Sequence, residues 1–64
     1  MNTVKRTTLN VDEVATFLGL SKHTIYHLAK TEEIPHIKIG GKGGRILFRI
    51  SSIEQWLQDI EQGL

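Results

Sequence analysis

Apolar residues in the first third of the chain recur at helical spacing. Val11, Val14, Ala15 and Leu18 fall at i, i+3, i+4 and i+7, which sets them on one face of a helix. Asn10 stands before them as a cap, Glu13 follows at the position that closes a capping box, and Leu9 and Val14 have the spacing of a hydrophobic staple. Gly19 supplies the left-handed residue that stops the helix, so a first helix is predicted over 11–18. Ser21 caps a second helix whose apolar face is Ile25, Leu28 and Ala29, with Leu20 stapled to Ile25. Two short helices joined through Gly19, Leu20 and Ser21 must cross sharply.

Near Pro35 the period changes from helical to alternating, because proline ends helices and biases the preceding residue toward extended backbone. Ile37 and Ile39 then share one face and His36 and Lys38 the other. Beyond Gly40 to Gly44, Ile46, Phe48 and Ile50 alternate with Arg45, Leu47 and Arg49. This is a hairpin with a loose, glycine-rich tip. Ser51 and Glu54 repeat the cap pattern, and Ile53, Trp56, Leu57 and Ile60 form the buried stripe of a third helix, with Trp56 as a core anchor.

A chain of 64 residues makes one domain and can bury only about 60% of its unfolded surface, so the core has to be simple. It has no cysteine, which removes disulfides and thiolate zinc as reinforcement. No apolar run approaches the roughly 20 residues that span a bilayer, and Met1 to Leu9 lacks the apolar stretch of a signal peptide. A soluble, unexported, cytoplasmic protein is expected. The formal net charge of +1 conceals a division along the chain. From Ser21 to Arg49, six cations (Lys22, Lys30, Lys38, Lys42, Arg45, Arg49) face only Glu32 and Glu33, a balance of +4, whereas Ile50 to Leu64 carries only Glu54, Asp59 and Glu61, a balance of −3. The middle of the chain is the candidate polyanion surface.

A helix-turn-helix needs a small residue where its helices approach, a glycine-like turn, and apolar contacts that hold the second helix at a fixed angle. Ala15 and Gly19 fill the first two places, and Val14, Leu18, Leu20, Ile25 and Leu28 the apolar ones. The alternative is an ordinary helical hairpin, and the charge of the second helix argues against it. His23, Tyr26, His27 and Lys30 occupy the side opposite its apolar face, with Lys22 and Thr24 at the margins and no acid among them. Lys22, His23, Thr24 and His27 are the base-side candidates. Lys22 and the backbone amides near Ser21 lie at the helix end that attracts phosphate. Tyr26 either donates its hydroxyl to a phosphate or leans its ring on the core edge. In the hairpin, Lys38, Lys42, Arg45 and Arg49 supply charge for the sugar-phosphate backbone, and the tip glycines permit close approach. The bland reading of that tip is a solvated loop.

Other chemistry lacks its residues. His23 and His27 share a face four apart, but the acid of an H-E-x-x-H motif is missing, so no metal site is expected. The glycine run lacks the Lys-Ser/Thr pair of a nucleotide-binding loop and does not precede a helix. No nucleophile with a base, no paired carboxylates with a cleft and no cofactor motif is present, so no enzyme is expected.

Taken in order, Leu9 to Ala15, Leu18 to Ser21, Thr24-Ile25-Tyr26, Ile34-Pro35, Lys38-Ile39-Gly40, Phe48-Arg49 and Ile53 to Leu57 resemble the excisionase-type helix-turn-helix family, distant relatives of the MerR-like winged-helix regulators. The Gly40 to Gly44 tip is longer than that family's usual turn. The expected fold is mostly α with a small β-hairpin: a winged helix-turn-helix in the order α-α-β-β-α over residues 9–62, after a flexible lead of residues 1–8. The resemblance implies a bacterial or phage-encoded protein that binds double-stranded DNA beside recombination sites, in cooperative copies that bend it, and that helps an integrase or other recombinase excise a mobile element. A small transcriptional regulator, or an adaptor docking a partner protein through its third helix, are the alternative roles.

Overall fold

The structure, a computed structural model, describes residues 6–63. The chain runs β1 (Thr8–Leu9), α1 (Val11–Leu18), α2 (Lys22–Lys30), β2 (Ile37–Ile39), β3 (Arg45–Arg49) and α3 (Ile50–Gln62). This is the expected winged helix-turn-helix with one strand added in front. A two-residue strand is too short to register as alternation, and only its pairing reveals it. β1 and β2 flank β3 in an antiparallel sheet of order β1-β3-β2, with Leu9 opposite Phe48 and Thr8 opposite Arg49. Thr8, assigned from sequence to the flexible lead, is therefore in the sheet, while residues 1–5 of that lead lie outside the described residues.

The start of α1 is doubly held. Glu13 N–H donates to Asn10 Oδ1 at 2.8 Å and Asn10 N–H to Glu13 Oε1 at 2.9 Å, the reciprocal capping box. Arg6 then grips the same carboxylate with both terminal nitrogens at 2.6 Å, tying the chain ahead of β1 to the helix. Those two guanidinium hydrogen bonds, followed by the Asn10 amide, hold the Glu13 carboxyl below its ordinary value, and the same hydrogen bonds to Glu13 raise the Arg6 guanidinium.

Both α1 and α2 end in the same pair of backbone hydrogen bonds. Leu20 N–H reaches Ala15 O and Gly19 N–H reaches Thr16 O, with Gly19 at φ 73°. At the end of α2, Glu33 N–H reaches Leu28 O and Glu32 N–H reaches Ala29 O. The left-handed residue there is Glu32 at φ 57°, a side chain that adopts this region only at some cost. Pro35 thus follows a stop already made. Leu20 lends its amide to the turn but leaves its side chain 41% exposed, so it is not the buried staple its spacing suggests.

Val14 and Ala15 from α1, Ile25 and Ala29 from α2, Ile34 from the following loop, Phe48 from β3 and Ile53 from α3 form the buried core. Phe48 is central because its strand has neighbours on both sides. The register pairs Ile37 with Leu47, Lys38 with Ile46 and Ile39 with Arg45, so Lys38 shares the inward sheet face with Ile46 and Phe48. The tip is less loose than expected. Gly44 N–H closes it onto Gly41 O at 2.8 Å, and a Cβ on Gly44 would strike the carbonyl oxygens of Ile39 and Gly40.

The third helix departs most from expectation. It begins at Ile50 rather than after a Ser51 cap, because β3 passes into it without a loop; Arg49 occupies the cap position and makes no side-chain cap bond. Ile50 N–H instead donates to Thr7 O at 2.9 Å, so the segment leading into β1 satisfies one of the helix's free amides. Only Ile53 of the predicted stripe is buried. Trp56 is half-buried and donates its indole N–H to Glu33 O at 2.9 Å, while Leu57 and Ile60 are 39% and 50% exposed. A helix of 13 residues spans about 20 Å, and its second half leaves its apolar positions largely uncovered.

Candidate nucleic-acid interface

α2 presents its charged side outward because Ile25 and Ala29 are drawn fully into the core. His23, Tyr26, His27 and Lys30, spaced to share one helical face, are all exposed, as is Lys22. Ser21 and Thr24 do different work. Ser21 Oγ accepts from Thr24 N–H at 3.1 Å and lies 2.9 Å from the Thr24 hydroxyl, so both side chains hold the start of α2, and Thr24 is half-buried. Tyr26, for which the sequence leaves two orientations open, is 53% exposed and borders a groove.

That groove runs between α2 and the hairpin. Lys22 and Tyr26 line one wall, Gly44, Arg45 and Ile46 the other, and Asn10, Val11 and Asp12 at the start of α1 close its end. The crossing of α1 and α2 at Gly19 and the inward register of Ile46 bring these three segments together. Of the hairpin cations named from sequence, Arg45 reaches the groove, Lys38 shares the sheet face of Ile46, and Lys42 is exposed at the tip. Arg49 is not brought to this group: it sits at the base of the hairpin opposite Thr8, four residues along β3 from Arg45.

The groove also holds an acid that sequence reasoning passed over. Asp12 Oδ1 lies 3.2 Å from Lys22 Nζ, with both side chains largely exposed. In the sequence Asp12 reads as a first-turn acid of α1, and no spacing rule links it to a lysine ten residues on. The acids of α3 do not line this groove, and Asp59 among them accepts from Gln55 Nε2 at 3.0 Å.

The histidines do not converge on a metal. His36 is half-buried, its Nδ1 2.8 Å from Ile34 O, and among the described residues no group of three or more His, Cys, Asp or Glu side chains could hold an ion. Nor is any helix among them long and apolar enough to cross a membrane.

A family model described as a helix-turn-helix domain matches residues 8–60. The chain belongs to the helix-turn-helix domain family. The match begins at β1 and runs into the last turns of α3, so the whole architecture, not the helical pair alone, is that of this DNA-binding, non-catalytic domain. No curated protein and no solved structure matches the chain.

Proposed function

We propose that this helix-turn-helix protein is a sequence-specific DNA-binding accessory factor of excisive recombination, working beside the recombination sites of a mobile element or prophage. The observation that carries the reading is the exposed, acid-free side of α2 next to a basic hairpin. In it, α2 enters the major groove with Lys22, His23 and His27 toward base edges, and Tyr26 and Lys30 toward the flanking strand. Ser21 and Thr24 position the helix start, where backbone amides meet a phosphate. Lys38, Lys42 and Arg45 grip the backbone along the wing, with Arg49 a more distant contact. The segment order shared with excisionase-type proteins supports the recombination role. The exposed Leu57 and Ile60 on an acid-bearing helix support contact with an integrase.

Equilibrium binding to duplex DNA across a salt series tests the grip. Neutralisation of three phosphates by the wing predicts a log-log slope of about −2.7, and a slope near zero would remove the electrostatic basis of the proposal. His27→Ala is expected to change which sequences are preferred in selection from a random pool, and Lys42→Gln to weaken binding to all of them alike. A circular-permutation bend assay addresses the architectural role. A bent complex supports an excision factor, whereas a straight one with retained specificity favours the small transcriptional regulator.

A further inference from the structure

The Asp12–Lys22 pair is poorly explained by stability. Its partners are 71% and 63% exposed, and ion pairs in such settings contribute little. An acid is also unfavourable on a surface that meets phosphates, yet among the described residues this one is the only acid lining the groove between α2 and the wing. Its effect falls on Lys22. An ammonium already paired to a carboxylate releases no DNA counterion unless a phosphate displaces that carboxylate. Arg45, across the groove, has no carboxylate hydrogen bond or ion pair among the described residues and stays available.

We infer that Asp12 is a specificity-determining residue that withholds Lys22 from sequence-independent phosphate binding, so that Lys22 engages DNA only where a correct site displaces or accommodates the carboxylate. This rests on the reading of α2 and the wing as the DNA-binding face. The device acts by subtraction: non-specific affinity is almost wholly electrostatic, so removing one cation from it widens the gap to specific binding.

The test is the affinity of the full chain for a random-sequence 20-base-pair duplex between 50 and 200 mM salt. Asp12→Asn should bind this duplex more tightly and steepen the log-log slope by about 0.9, so that affinity lost across the salt range grows by about 3.5-fold. With Lys22→Gln already in place, Asp12→Asn should leave the slope where it was, since no ammonium remains to be freed. Circular dichroism checks that each variant is folded; should Asp12→Asn not fold, Asp12→Ser is read in the same way. An unchanged slope in Asp12→Asn, or a steepening that persists without Lys22, would overturn the inference while leaving the DNA-binding reading intact. Salt-independent binding by the unaltered chain would sink both.

Discussion

The joint between α1 and α2 and the long third helix answer the same kinds of sequence signal in opposite ways. In the joint, each cap residue seen in the sequence makes its bond: Asn10 accepts from Glu13 and Ser21 from Thr24. The apolar face of each helix is largely covered. In α3 an equally plain Ser51-to-Glu54 pattern caps nothing, and half of a four-residue apolar stripe stays in solvent. A cap motif acts only where the chain enters the helix from a loop, and an apolar stripe is buried only as far as there is a layer to cover it. The joint satisfies both conditions, and α3, continuous with β3 and uncovered at Leu57 and Ile60, satisfies neither.

The largest expected effect tests whether the first turns of α3 truly belong to the joint's core. Phe48→Ala and Ile53→Ala each empty a fully buried site and should cost about 3 to 5 and about 2 to 5 kcal/mol respectively, enough to unfold a domain this small. Urea titration followed by circular dichroism measures it, and a cost below about 1 kcal/mol for Ile53→Ala would detach α3 from the core altogether. Next come the caps. Asn10→Ala and Ser21→Ala should each lose about 1 kcal/mol, while Ser51→Ala should change stability by less than about 0.5 kcal/mol. Equal losses at all three positions would erase the contrast.

A smaller effect concerns pH. Glu13 is held below its ordinary value of 4.5 in the folded chain, so the unfolded chain takes up that proton first as pH falls. The stabilisation by Arg6 and Asn10 is therefore complete above the ordinary carboxylate range and lost as pH drops through and below it. The difference in melting temperature between the unaltered chain and Glu13→Gln should accordingly shrink from neutral pH toward pH 3; a constant difference would show that the clasp does not act through charge. The smallest effect is at the far end of α3, where Ile60→Ala should shift stability by no more than about 0.5 kcal/mol. A loss of 2 kcal/mol or more there would mean that the end of α3 is covered after all.

Much of the fold is legible in the chain because its signals are local. The bounds of α1, the left-handed Gly19 and the two caps each depend on residues within a turn or so of one another. The outward side of α2 follows from the same periodicity, and with it the positions of His23, Tyr26, His27 and Lys30. What escaped is non-local. β1 exists because Leu9 lies beside Phe48, nearly forty positions away, and Ile34 joins the core from a loop with no period. Among the candidate site residues, Thr24 turns into the cap of α2, and Arg49 lies at the base of the hairpin, paired with β1 and away from the groove.

By itself the sequence determined the helical pair, its turn, and the sign of the charge that α2 turns outward, because a helix places each side chain by its own 3.6-residue repeat. Tertiary structure alone decided which of those charges meet across a groove. Asp12 came to Lys22, and Arg45 came to face Tyr26, through the crossing of two helices and the pairing of two strands. Those are distances between segments, and no periodicity within a segment encodes them.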